Sequence, residues 1–305
     1  MEAMYESVLR IRRTAILTAL IFALFATTAF AQTVSGRDLR IHTLESKIFN
    51  NTRKIRVLLP PGYEDAKNSK TYYPVLYLND GQDLFDAKDS VFTGKEWRVD
   101  ETVYDLISKG EIGPVIVVGI DNPGKEMRPN EYLPWEDIYL SPPVPEPHGS
   151  LYPEFLEKEV IPFIESKYRI SAVRINRALG GSSYGGLITL YSAIQKPKLF
   201  GRLLIESPSF YVSDAKVLDL AGNWSPMPLK VYLGVGTNEL GKKECGPESD
   251  GGEAVSDVRR LEDILKNKGL DGSRLRVNVE QCAVHDEDAW ARRIPDALRF
   301  LFPAK

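Results

Sequence analysis

Strands and helices alternating along the chain predict an α/β protein on one mainly parallel, doubly wound sheet with helices on both faces. Three observations carry that prediction. Residues 74–78 and 114–120 are short, nearly continuous apolar runs, as strands buried on both faces are. Amphipathic helical stretches separate such runs. Between a strand-like run and a buried helical run stands Gly181-Ser182-Ser183-Tyr184-Gly185, a G-x-S-x-G pattern that belongs to a sharp strand-to-helix turn. The chain has 305 residues, 43% hydrophobic and 27% charged, long enough for one large domain with a full core. Its formal charge of −3, with no basic block, argues against nucleic acid as a partner.

The elements follow in order. Arg10, Arg12 and Arg13 precede an apolar stretch over 14–27, and Ala29-Phe30-Ala31 supplies a small-residue cleavage site before Gln32. This is the pattern of a secretory signal, too short and wrongly flanked for a spanning helix. The expected mature protein is residues 32–305, periplasmic or secreted and without a stable membrane anchor. Residues 32–50 suit an early strand or edge segment. Residues 54–59 alternate charged and apolar groups, as a half-buried strand does. Strand 74–78 ends in the turn Asn79-Asp80-Gly81-Gln82-Asp83. A helix is expected over 97–108 and a buried strand over 114–120.

Residues 121–150 form a long proline- and aromatic-rich connection. Loops of this length in compact domains are usually functional. Because it leaves the C-terminal end of a strand, it is read as one wall of a cleft, with Tyr132 and Trp135 beside Asp80 and Gly81. An amphipathic helix is expected over 152–167, with Phe155, Val160, Ile161, Phe163 and Ile164 inward. A strand over 175–179 then leads to the serine turn, and residues 186–194 read as a buried helix. Strands follow at 202–207, 229–235 and 275–279, with helices at 253–267 and 288–302.

The chemistry rests on Ser183. A serine hydroxyl is a weak nucleophile at neutral pH and needs a base, itself oriented by an acid. In folds with this turn the chain order is serine, acid, histidine, each at the C-terminal end of a strand. Of three histidines, His42, His148 and His285, only His285 follows Ser183, so it is the expected base. The acid should follow strand 229–235, and Glu239 is the choice, with Asp250, Glu253 and Asp257 as rivals later in the same connection. Negative charge developing on an attacked carbonyl needs preorganised donors. The backbone N–H groups of Tyr184 and of Gln82, in the turn after strand 74–78, are the candidates. Asp80, Asp83, Asp86 and Asp89 do not have the spacing of a calcium loop, so no metal site is expected.

Two cysteines exist, Cys245 and Cys282. In an exported chain a bridge between them is expected over two buried thiols. It would tie the connection after Glu239 to the loop before His285.

At these residues the chain resembles the putative esterase family of α/β-hydrolases, nearest the branch that contains enterochelin-type siderophore esterases. Feruloyl and acetylxylan esterases are broader relatives. The matching pieces are Tyr73–Phe85 (YPVLYLNDGQDLF), Glu131–Trp135 (EYLPW), Leu179–Gly186 (LGGSSYGG), Leu204–Phe210 (LIESPSF), Gly234–Glu239 (GVGTNE) and His285–Phe302. The resemblance implies an α/β-hydrolase fold and ester hydrolysis through an acyl-serine, without a cofactor. It puts nucleophile, acid and base on Ser183, Glu239 and His285. Many relatives carry Asp as the acid, and Tyr184 replaces a smaller residue. The implied substrates are small-molecule or polysaccharide-linked esters. An acyltransferase on the same residues, or a non-catalytic binding module on this fold, are the alternative readings.

Overall fold

The computed structural model describes residues 38–304 except Pro145. The expected export signal lies outside the described residues.

An eight-stranded sheet has the order β1-β2-β4-β3-β5-β6-β7-β8. Its strands are β1 (Leu39–Ser46), β2 (Asn51–Leu58), β3 (Val75–Asn79), β4 (Ile116–Ile120), β5 (Arg177–Ser183), β6 (Arg202–Pro208), β7 (Lys230–Gly236) and β8 (Leu275–Glu280). The β1–β2 and β2–β4 pairings are antiparallel. All the others are parallel. The sheet is therefore mostly parallel, and the strand carrying Ser183 lies inside it.

The apolar strands bury both faces because side chains alternate across the pleat. In β3, Val75 and Tyr77 enter one core, while Leu76 and Leu78 enter the other. The first core is completed by four helices: α3 (residues 152–165), α4 (Tyr184–Gln195), α5 (Val212–Ala221) and α6 (Gly252–Asn267). The second is completed by α1 (Val99–Ser108) and α7 (Glu287–Leu301). A short helix, α2 (Arg128–Tyr132), lies inside the long connection. Helix α3 begins as Tyr152–Phe155, passes through a π-helical turn at Leu156–Val160, and continues as Ile161–Glu165. Of its five expected inward residues, Phe163 alone stays only partly buried.

Two elements differ from the sequence reading. The nucleophile strand extends through Gly180 and Gly181 to Ser183 instead of stopping at residue 179. A Cβ on Gly180 would lie 2.8 Å from the Leu204 carbonyl oxygen of the neighbouring strand, so glycine here serves close strand packing, not a turn. Helix α5 was not expected. Just after Val212, Ser213, Asp214 and Ala215 have φ of 51°, 55° and 57°, a left-handed turn near its start that no helix-forming pattern announces. Among the described residues no helix is long and apolar enough to cross a membrane.

Candidate active site

Parallel strands bring their C-terminal ends to one edge, and the chemistry-bearing residues gather there. Ser183 ends β5 with φ 57° and ψ −127°, a strained backbone that turns directly into α4. Tyr184 opens that helix, so its N–H is one of the donors a helix start leaves free. Its phenol donates to Asp137 Oδ2 at 2.5 Å, which ties the long connection to the helix start.

Glu239 lies just beyond β7 and His285 beyond β8. Their side chains meet at 2.6 Å, His285 Nδ1 to Glu239 Oε2. A carboxylate at Nδ1 fixes the neutral imidazole with its proton on Nδ1 and its lone pair on Nε2. Burial pushes the Glu239 carboxyl up, but its bonds to His285, to the Gly236 N–H and to Ser207 outweigh that. The carboxyl therefore sits below its ordinary range. His285 also stands edge-to-face against Trp290, with ring centroids 5.2 Å apart. Asp250, Glu253 and Asp257 border the same cavity, but Glu239 is the carboxylate paired with the histidine. His42 bonds Tyr168 instead, at 2.5 Å.

Ser183 and His285 border one cavity of about 450 Å³ and a second of about 160 Å³. Among the described residues, no hydrogen bond joins Ser183 Oγ to His285. Ser183 Oγ instead lies 3.3 Å from Ser209 Oγ.

Behind Glu239 is a polar network that sequence reading missed. Ser207 Oγ donates to Glu239 Oε1 at 2.7 Å and receives Trp290 Nε1–H at 3.0 Å and Arg293 Nη2–H at 3.2 Å. Both latter groups can only donate, so the single hydroxyl proton is forced toward Glu239. Ser207 has φ 38°, which aims the hydroxyl and costs strain. Arg293 is buried and is held in turn by Glu206, 2.8 Å away and fully buried. The signal lay in plain view, in the Glu206-Ser207 pair of LIESPSF and in Arg293 eight residues past His285. Nothing in either segment says that they touch.

The turn after β3 holds surprises. Asp80, in left-handed conformation at φ 58°, forms a two-bonded pair with Arg128, Nε–Oδ1 and Nη2–Oδ2 each 2.8 Å. Asn122 Nδ2 adds a third bond at 2.7 Å. Arg128 also reaches the Ser182 carbonyl at 3.3 Å, bracing the nucleophile strand. Asp80 is thus spoken for by protein groups, although it borders the smaller cavity. Gly81 is small because of β4, not because of a ligand: a Cβ there would lie 2.6 Å from the Gly119 carbonyl carbon. Gln82 is buried, its Oε1 accepts the Asn122 N–H at 3.1 Å, and it does not border either cavity at Ser183.

The expected cleft wall is corrected too. Tyr132 is fully buried, and its hydroxyl accepts the Asp80 N–H at 3.2 Å. Trp135 packs edge-to-face on Tyr191 at 5.3 Å. Neither borders a cavity at Ser183. Their large rings are spent on packing residues 121–150 against α3 and α4. The cavity walls come instead from residues 92–97 and from the connection between β7 and α6.

Cys245 and Cys282 form the expected disulfide. The two loops it joins are also laced by Asn238 N to Ala283 O at 3.0 Å and Cys282 N to Thr237 Oγ1 at 2.8 Å. The acid and histidine loops therefore form one braced unit. Among the described residues no cluster of metal-ligating side chains is present.

Known proteins agree with this architecture. The family model described as "Putative esterase" matches residues 46–301. The chain is 23% identical over 252 residues to the uncharacterized protein YbbA of Bacillus subtilis, spanning 82% of this chain and 92% of YbbA. It is 24% identical over 279 residues to an endo-1,4-beta-xylanase/feruloyl esterase of Xylanibacter ruminicola, 90% of this chain and 32% of that one. Among solved structures, an IroE-like serine hydrolase of Shewanella oneidensis superposes with a TM-score of 0.66 at 23% identity, over 87% of this chain and 80% of that chain. The enterobactin esterase Fes of Shigella flexneri gives 0.63 at 16% identity, over 87% and 59%. These solved structures share the α/β fold, and the family match covers most of the sequence. The chain belongs to the putative esterase family and is a carboxylic ester hydrolase.

Proposed function

We propose that the protein is an exported serine esterase that works through an acyl-enzyme on Ser183. The observation that carries the reading is the 2.6 Å Glu239–His285 pair facing the serine turn across a shared cavity. On substrate binding, Ser183 Oγ leaves Ser209 for His285 Nε2. Such bonds are often long in the free enzyme and tighten in the complex. The oxygen attacks the ester carbonyl while its proton passes to Nε2. The Tyr184 N–H, with a donor from the turn at residues 80–83, receives the oxyanion. The carbon–oxygen bond to the alcohol breaks, and the alcohol leaves with the proton held on His285. Water then attacks the acyl-serine, gives one proton to His285, and the acid is released as Ser183 recovers its proton. Glu239 stabilises the imidazolium in both halves without taking a proton itself.

The relatives' names support two substrate classes: siderophore lactones, and acyl esters on carbohydrate. The test is hydrolysis of p-nitrophenyl acetate by residues 32–305 and by the Ser183→Ala variant. Turnover that persists undiminished in the variant would remove Ser183 from the mechanism. Export is checked by N-terminal sequencing of the protein recovered outside the cytoplasm, which should begin at Gln32.

A further inference from the structure

The loop that carries His285 is braced on one side by the disulfide and by the bonds to the acid loop. On the other side the chain runs His285-Asp286-Glu287-Asp288, with three carboxylates in a row directly after the histidine. One short segment from far earlier in the chain meets all three. Lys95 Nζ lies 2.7 Å from Asp286 Oδ2 and 2.5 Å from Asp288 Oδ2. Thr93 Oγ1 donates to Glu287 Oε2 at 2.7 Å and accepts the Lys95 N–H at 3.2 Å. Both ends of the segment are fixed to Asp83 in the turn after β3. The Val91 N–H donates to Asp83 Oδ1 at 3.2 Å, and the Trp97 N–H to the Asp83 carbonyl at 2.9 Å. Residues 91–97 therefore form a strap from that turn to the histidine loop.

We propose that Lys95 is a positioning residue for His285, acting through Asp286 and Asp288, with the Thr93–Glu287 bond as the second half of the same clamp. This rests on the serine-esterase reading above and extends it to a side chain that borders neither cavity at Ser183.

The need for a clamp follows from the geometry of the base. Glu239 holds the ring at Nδ1, which sets its tautomer but leaves the distance of the loop from β5 to other contacts. Ser183 Oγ rests against Ser209 and makes no bond to His285 among the described residues, so a small displacement of the loop decides whether the two can meet. Misplacement by about 1 Å can cost about 100-fold in rate. Asp286 splits its carboxylate between two tasks. Oδ1 accepts the Ala289 N–H at 2.9 Å and caps α7, and Oδ2 takes Lys95. Burial pushes the Asp286 carboxyl up, but its bonds to Lys95 and to the Ala289 N–H outweigh that and hold it below its ordinary range. Lys95 is partly exposed, as is Asp288. Ion pairs of that kind add little to overall stability and are weakened by salt. The clamp should therefore show in turnover and in its salt dependence, not in the melting temperature.

The test uses p-nitrophenyl acetate with residues 32–305 and three variants. Lys95→Met removes the charge and keeps the length of the side chain. It should lower kcat about tenfold and leave KM within about twofold, with Tm shifted by no more than about 2 °C. Thr93→Val should lower kcat in the same direction. Lys95→Arg keeps a cation between the two carboxylates and should restore kcat to within about threefold of the parent. Raising sodium chloride from about 0.05 M to about 1 M should bring the parent kcat towards the Lys95→Met value, while Lys95→Met itself barely responds. Unchanged kcat in Lys95→Met, an equal loss in Lys95→Arg, or the same salt response in parent and Lys95→Met would each overturn the assignment. A fall in kcat that tracks a large fall in Tm would overturn it too, by making Lys95 a stabiliser of the fold alone. Those outcomes leave Ser183-dependent hydrolysis standing. Hydrolysis undiminished in Ser183→Ala would instead overturn the serine-esterase reading and this one with it.

Discussion

Removing the Ser207 hydroxyl should damage both stability and catalysis, although Ser207 is neither nucleophile, base nor acid. Ser207→Ala deletes a bond to a carboxylate at 2.7 Å and strips the buried Trp290 Nε1–H of its acceptor. A hydrogen bond to a charged group contributes about 1.5–3 kcal/mol, and an unsatisfied buried donor costs about 1–3 kcal/mol. Arg293 loses least, because Glu206 and Glu280 still hold it at 2.8 and 2.9 Å. The sum, partly relieved by local relaxation, is about 3 kcal/mol, or roughly 6–12 °C in Tm for a domain of this size. Glu239 keeps the Gly236 N–H at 2.5 Å and His285 at 2.6 Å, so the dyad survives but loosens. Misplacement on that scale lowers kcat about 10- to 100-fold. The assay is kcat and KM on p-nitrophenyl acetate alongside thermal unfolding. Ser207→Gly removes the same hydroxyl while fitting the φ of 38°, so its kinetic defect should match that of alanine. Full kcat in both variants, at unchanged Tm, would show that the hydroxyl orients nothing.

Other expectations follow from the same coordinates. Glu239→Gln should cut kcat by about 10³- to 10⁴-fold, since an amide can hold the wrong tautomer of His285; a loss under tenfold would return the acid role to Asp250, Glu253 or Asp257. Reducing the disulfide, which closes a 37-residue separation, should lower stability by about 4 kcal/mol on the chain-entropy account, read as a shift in the urea midpoint between oxidised and reduced protein. The Glu239 carboxyl is depressed in the folded protein. Its stabilisation is therefore full above its unfolded value of about 4.3 and is lost as pH falls through the lower folded value. Glu239→Gln should remove that part of the acid destabilisation. Asp100 shows the opposite sign. Burial first, and then the neighbouring Glu101 carboxyl, push it up to about 8. Folding is then opposed as pH rises from about 4 towards that value. Asp100→Asn should raise Tm more at pH 9 than at pH 5, and an equal change at both would refute the sign.

Much of the fold was legible because apolar runs and helix patterns answer directly to burial. β3 and β4 came within a residue or two of their bounds, as did α1, α6 and α7. His285 was reachable from chain order, because strand ends in a parallel sheet must gather at one edge, whereas chain order left Asp250, Glu253 and Asp257 beside Glu239 as candidate acids until the structure paired Glu239 with the ring. The cleft was not. Tyr132 and Trp135 look like ligand-facing aromatics in sequence, yet each fills a gap beneath residues 121–150, and aromatic character does not distinguish the two uses. Gly81 reads as room for a ligand, but the room is taken by Gly119 of β4, a strand 38 residues further along the chain. Ser207, Arg128 and Arg293 escaped for a related reason. Their value lies in partners dozens of residues away, such as Asp80 for Arg128 and Glu206 for Arg293. No local pattern encodes such pairings. The left-handed entry to α5 has no compositional mark at all.

The whole account turns on which oxygen becomes acylated. The direct measurement is peptide mapping by mass spectrometry after brief exposure of residues 32–305 to a p-nitrophenyl alkylphosphonate, a trap for activated serine. The account predicts one phosphonyl group per chain, on the peptide carrying Ser183, lost in Ser183→Ala and formed far more slowly in a His285→Ala variant. Labelling of another residue, or of Ser183 at the same rate without His285, would contradict it.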